Sequence, residues 1–210
     1  VMGRAQLADP EFANKAKEGR VRDIIHCVGC DQGCYDGFCD LANRPFITCM
    51  RNPALGHEKE HRLEKTSSPG KVLIAGGGMA GMEAAMVLKE RGHLPEIFES
   101  GDHLGGQFIT AGEAPGKAEM KAAAVSFAEQ VERAGIPVHY GIEATPELIQ
   151  KEVPAAVILA IGSSPIVLEL DGIEKLPVYE AHEVLNGRAV PQGEICVIGG
   201  GLVGLETADA

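Results

Sequence analysis

The chain has 210 residues, 45% of them hydrophobic, so it can bury a substantial core within one or two domains. Thirty acidic against nineteen basic side chains leave a net charge of −11, which argues against nucleic acid or an anionic membrane as partner. The longest apolar run, residues 155–161, is far short of the roughly 20 residues that cross a bilayer, and five of the six cysteines crowd between Cys27 and Cys49 as a metal site in a reducing compartment would. A soluble cytoplasmic protein is expected. Both ends read as cut, since the chain opens on Val1 without a start-like segment and stops at Ala210 within a helix.

Residues 1–26 begin with a short apolar stub ending in Gly3-Arg4, read as a strand end. Asp9-Pro10 then supply an N-cap and first-turn residue for a helix to about Glu18, closed by Gly19. A strand end, a basic residue and a helix suit a phosphate site at the C-terminal end of a barrel strand, with a plain surface arginine as the alternative. Next comes Cys27-x2-Cys30-x3-Cys34-x14-Cys49, with Cys39 as an extra, on a loop punctuated by Gly29, Gly33 and Gly37. Four thiolates suit either tetrahedral zinc or an iron–sulfur cluster. Zinc sites usually pair two CxxC knuckles and only one is present, which favours the cluster. Backbone N–H groups of Val28, Gly29 and Gly33 could donate to the sulfurs. Residues 54–70 are charged and end in Ser-Ser-Pro-Gly, a linker composition; His57 and His61 within it read as solvated surface.

The stretch from Lys71 to Gly106 organises the chain. An apolar strand, Val72 to Ala75, leads into Gly76-x-Gly78-x-x-Gly81, a helix from Met82 to Arg91 closes on Gly92, and a second strand ends on Glu99. The spacing is that of a dinucleotide site: Gly76 for the tight turn, Gly78 for close approach of backbone N–H groups to a pyrophosphate, Gly81 for packing helix on strand. The helix N-terminus adds partial positive charge, and Glu99 accepts from ribose hydroxyls. Met79, Ala80, Ser100 and the Gly105-Gly106-Gln107 step complete the set, the last pointing to a flavin rather than a nicotinamide.

A helix is predicted over residues 118–134 with Val125, Phe127, Ala128 and Val131 as its apolar face, then a strand over 136–140 and a small helix capped by Thr145 with Pro146 at its first position. Residues 155–161 read as a buried parallel strand. Residues 163–193 are loop-rich with a short helix within 178–185. Then strand, Gly199-x-Gly201-x-x-Gly204 and helix restate the first fingerprint about 120 residues on, with Leu202 and Val203 between the glycines and Cys196 as a buried small hydrophobe. Two such units imply two nucleotides, a flavin and a nicotinamide. The fold class expected is α/β, a doubly wound parallel sheet.

In this order, GRAQLADPEFANKAKEG, CVGCDQGC, Cys49-x-x-Asn52-Pro53 and a flavin fingerprint running to GGQ resemble the multidomain relatives of old yellow enzyme. These are the 2,4-dienoyl-CoA, 2-enoate and bile-acid dienoyl reductases and the trimethylamine dehydrogenases. The resemblance implies that 1–26 end a TIM barrel carrying FMN, with Gly3 and Arg4 at its phosphate. It further implies that 27–64 form the iron–sulfur loop and linker, with Cys27, Cys30, Cys34 and Cys49 ligating a 4Fe-4S cluster. Residues 65–165 would bind FAD, 166–193 cross over, and 194–210 begin an NAD(P)-binding fold. Ile142 and Glu143 would run along the adenine edge, and Ala160-Ile161-Gly162 would lie beside FAD with Ile161 in the family's Thr place. The gap before Cys49 exceeds the family spacing, and Cys39, lying in the excess, is assigned as a non-ligand.

The activity so implied moves electrons from NAD(P)H through FAD, 4Fe-4S and FMN to a small molecule with an activated C=C bond. The proton donor would lie upstream of Val1, so no catalytic residue is assigned within the chain. An amine dehydrogenase of the same architecture, an electron-input module like the small subunit of glutamate synthase and a zinc-stapled nucleotide sensor are the alternatives. The second ribose acid and any homo-oligomer lie outside what these residues specify.

Overall fold

In the computed structural model the described residues are 2–40, 42–43, 46–166 and 168–210. Two short helices open the chain, α1 Gly3–Ala8 and α2 Phe12–Lys17, followed by a 3-10 turn at Val21–Asp23. Gly3 and Arg4 therefore begin a helix instead of ending a strand, because Arg, Ala, Gln and Leu in succession are good helix formers. Asp9 sits between the two helices, 1% exposed. Its carboxylate accepts from the Glu11 and Ile25 backbone N–H groups at 3.0 and 2.9 Å and from Lys15 Nζ at 2.8 Å, so it staples both helices to the approach to Cys27 rather than capping α2. The cysteine loop holds one further helix, α3 Tyr35–Cys39.

The nucleotide fold follows as β1 Lys71–Ala75, α4 Met79–Glu90, β2 Leu94–Glu99, α5 Gln107–Ala111, α6 Ala118–Arg133, β3 Val138–Tyr140, α7 Pro146–Glu152 and β4 Ala156–Leu159. All pairings are parallel and the strand order is β3-β2-β1-β4, the open doubly wound arrangement. Register aligns Ile158, Ile74, Ile97 and Val138 in one row across the sheet. That row packs with Met82, Ala85, Phe127 and Val131 of α4 and α6, while Leu73, Ala75 and Phe98 on the other face meet Leu148 and Ile149 of α7. Two layers of helix thus cover one sheet, and truncating a side chain such as Ile74 should cost about 2–5 kcal/mol. Thr145 caps α7, accepting from Leu148 N–H at 3.3 Å.

Four further expectations need correcting. Helix α4 starts at Met79, three residues early, because Gly78 is its cap and Gly81 lies inside it. Val125 is 44% exposed, since the buried stripe of α6 runs through Ala123, Ala124, Phe127 and Val131 at helical spacing. The strand read as buried is the sheet edge, with Leu159 71% exposed, because β1 covers only one side of β4. Residues 194–198 form no strand, and Cys196 is exposed, because no neighbouring strand pairs with them among the described residues. Before them lies α8 Ala181–Leu185, held by a Glu180/Glu183 capping box, and after them α9 Leu202–Asp209. No helix among the described residues is long and apolar enough to cross a membrane.

Candidate cofactor and iron–sulfur sites

The first glycine turn is built by steric exclusion. Gly76 has φ +100°, and a Cβ there would lie 2.3 Å from the Ala160 carbonyl oxygen; one on Gly81 would lie 1.9 Å from the Gly76 oxygen. Only glycine lets β4 close over the turn and α4 dock on it. Nothing lies within 4 Å of a Cβ built on Gly78, so the N-terminal end of α4 faces open space. Glu99 at the end of β2 accepts from Gly77 N–H at 2.7 Å and Gly101 N–H at 2.6 Å, which fixes its carboxylate beside the turn. Gly105 N–H donates to the Gly77 carbonyl at 2.9 Å and Gly106 packs near Gly78, while Gln107 Nε2 donates to the Ser163 carbonyl at 2.7 Å.

Gly76, Gly78, Met79, Ala80, Gly81, Glu99, Ser100, Gly106, Gln107 and Ala160 to Gly162 thus gather around the C-terminal ends of β1, β2 and β4. Ile142 is tied to them, its N–H donating to the Glu99 carbonyl at 3.0 Å, and Glu143 follows on the exposed side. Gly77, Gly101 and Ser163 escaped sequence reasoning. The first two sit beside flagged residues and contribute backbone only, which leaves no side-chain signal. Gly199, Gly201, Leu202, Val203 and Gly204 form a second turn, joined to the first fold through the Lys117–Glu206 ion pair.

The cysteine loop closes by a different device. Thr48 N–H donates to the Gly33 carbonyl at 3.0 Å, and a Cβ on Gly33 would sit 2.4 Å from the Thr48 carbonyl oxygen. That contact sets Cys34 next to Cys49. Asn52 Nδ2 donates to the Leu7 carbonyl at 2.9 Å, pinning the Cys49 turn to α1. Cys27, Cys30, Cys34 and Cys49 line one small cavity with Arg4 and Arg51, while Cys39 lies exposed on α3. Gly29 N–H points at Cys27 Sγ, 3.4 Å away, as expected. Among the described residues no three His, Cys, Asp or Glu side chains are grouped closely enough to hold one metal ion. Four soft donors spaced in this way fit a multi-iron centre.

Arg4 donates to Asp31 at 2.6 Å and lines a second cleft of about 560 Å³ with Met2, Cys27, Val28 and Glu119. His57 is half-buried with its ring edge-on to Phe46 at 4.6 Å, so it is less solvated than expected; its Nδ1 pairs with Glu60 at 3.4 Å. Arg51 was not singled out by sequence. Its only signal was position, two residues after Cys49.

A parallel β3-β2-β1-β4 sheet with a glycine turn after β1 and an acid ending β2 defines a dinucleotide-binding α/β protein. The model of the pyridine nucleotide-disulphide oxidoreductase family matches residues 70–210, and the chain belongs to that family. It is 41% identical over 214 residues to NADH oxidase of Thermoanaerobacter brockii, covering 99% of this chain and 32% of that protein. It is 38% identical over 208 residues to bilirubin reductase of Mediterraneibacter gnavus, again 99% of this chain and 32% of the relative. Among solved structures, a 2-naphthoyl-CoA reductase complex superposes with a TM-score of 0.90 at 30% identity, covering 98% of this chain and 31% of that one. The chain therefore spans about a third of the length of these relatives. The resemblance to the C-terminal region of the multidomain old yellow enzyme relatives is borne out.

Proposed function

We propose that the chain is the electron-transfer portion of an NAD(P)H-dependent flavin and iron–sulfur oxidoreductase that reduces activated C=C bonds in small enoates or enoyl thioesters. The observation that carries this is the single cavity lined by Cys27, Cys30, Cys34 and Cys49, next to a glycine turn of flavin type. When bound, the flavins and the 4Fe-4S cluster supply conversion between two-electron and one-electron transfer.

In this reading residues 1–26 are the barrel end, 27–64 the cluster loop, 65–165 the FAD fold, 166–193 the crossover and 194–210 the start of the NAD(P) fold. The four cysteines hold the cluster and Gly33 keeps Cys34 and Cys49 together. Gly76, Gly78 and Gly81 give the FAD pyrophosphate backbone N–H donors, Glu99 orients its ribose, and Gln107 fastens the 105–107 turn to Ser163 beside it. Arg4 in the cleft beside Cys27 would suit the FMN phosphate. Gly199, Gly201 and Gly204 repeat the phosphate cradle for NAD(P)H. Similarity to proteins named NADH oxidase and 2-naphthoyl-CoA reductase supports both the donor and an acyl-thioester substrate.

Anaerobically purified protein should contain iron and acid-labile sulfide at about four atoms each per chain. Cys34→Ser should lose most of both, and Cys39→Ser should keep them. NADH-dependent reduction of an enoate or enoyl thioester should follow the iron content. Zinc in place of iron in the unaltered protein refutes the proposal.

A further inference from the structure

The cavity lined by the four cysteines has two cationic side chains in its wall, Arg4 and Arg51. They differ in how their charge is spent. Arg4 is 56% exposed and its guanidinium is paired to Asp31 at 2.6 Å. Arg51 is only 9% exposed, with its Nε buried and without a hydrogen-bond partner among the described residues. The guanidinium carbon lies 5.7 Å from the centre of the Phe127 ring on α6. Glu83 on α4 is the acid that acts on it, from beyond ion-pair distance. A cation this buried is costly unless some negative charge offsets it; after Glu83 the next source is Cys49, one of the four cysteines lining the adjoining cavity, which would carry thiolates once a cluster is bound.

Arg51 also bridges two parts of the molecule. It follows Cys49 by two residues, yet its side chain lies over Phe127 of α6 and within electrostatic reach of Glu83 on α4. A basic side chain needed only for docking would be better served by a formed ion pair, and none is formed within 4 Å among the described residues.

We propose that Arg51 is a positioning residue of the iron–sulfur centre, holding the Cys49 turn against the flavin fold while its fixed positive charge favours the reduced state of that centre. The inference rests on the cluster assigned above. Reduction adds one electron, making the centre one unit more negative, and a buried cation at its wall offsets that unit. Arg51→Met keeps the apolar stem and removes the charge; Arg51→Lys keeps the charge. Glu83→Gln removes the opposing negative charge.

The full chain is purified anaerobically in each form, iron and sulfide are measured, and the reduced signal is followed by electron paramagnetic resonance while viologen dyes serve as electron donors at set potentials. Arg51→Met should shift the one-electron equilibrium about tenfold toward the oxidised centre, equivalent to 59 mV, with Arg51→Lys within about threefold of wild type and Glu83→Gln shifted the opposite way. Full iron content with an unmoved midpoint in Arg51→Met, or equal shifts in Arg51→Met and Arg51→Lys, overturns the inference while leaving the cluster standing. Wild-type protein without iron overturns the cluster and the inference together. If Arg51→Met fails to load iron, the other two variants decide: Glu83→Gln moving toward the oxidised centre refutes the charge effect, and moving away from it supports it.

Discussion

The two glycine turns have the same local shape in unlike surroundings. Gly76 and Gly199 have φ of +100° and +111°, and Gly78 and Gly201 cap their helices at φ/ψ of −70°/−175° and −77°/−177°. A Cβ on Gly81 or on Gly204 would come within 1.9 Å of the carbonyl oxygen five residues back. Yet Ile74 before the first turn is fully buried in a four-stranded sheet, while Val197 at the matching place before the second is 43% exposed and outside any strand. Turn and helix start are properties of a few adjacent residues, whereas a parallel strand exists only once distant segments pair with it.

This contrast can be broken or sharpened by experiment. The largest effect should come from Gly81→Val, which forces a side chain into the Gly76 carbonyl; we expect about 3 kcal/mol of lost stability and loss of FAD. Gly204→Val meets the same clash but should raise the KM for NAD(P)H and leave FAD content intact. Thermal melts with flavin fluorescence would show whether the two turns serve separate nucleotides, and equal flavin loss in both would end that division. Next, Ile74→Ala should cost about 3 kcal/mol and Val197→Ala within about 0.5 kcal/mol in denaturant titration. Equal costs would mean the second segment is covered in solution.

The smallest effect concerns the first residue of each unit. Lys71 bonds Glu152 at 2.7 Å and Glu96 at 3.1 Å, which raises its pKa, whereas its counterpart Glu194 begins an exposed segment and forms no ion pair among the described residues. Burial pushes Glu96 up, but bonds from His139 and Lys71 outweigh it and hold the carboxyl below its usual range. A lowered folded pKa means the Glu96 contribution is present above about pH 4.3 and is lost as pH falls through the folded value. The raised Lys71 pKa means its contribution is present below about pH 10.4 and is lost as pH rises through the folded value. Lys71→Met should therefore flatten both limbs of a melting temperature against pH profile, by no more than about 1 kcal/mol at neutral pH. Glu194→Met should leave the profile unchanged.

Much of the nucleotide fold could be read in advance because its signals are local. The glycine spacing, the Thr145-Pro146 start of α7 and the Glu99 terminus of β2 each depend on neighbours within a few residues. What escaped was non-local. Val125 looked apolar enough for the core, but helical phase turned it outward. Residues 155–161 looked buried on composition, and sheet order made their strand an edge. Asp9 looked like a cap, and its oxygens instead found Ile25, sixteen residues away.

By itself the sequence determined which chemistry the chain can host: four thiols at cluster-like spacing and two phosphate turns, since donor type and backbone freedom belong to individual residues. Only the tertiary structure decided that Thr48 closes on Gly33 to bring Cys34 to Cys49, and that Arg51 is buried between the thiol cavity and α6. Those outcomes depend on packing between segments far apart in the chain, where shape and burial rather than residue identity select the partner.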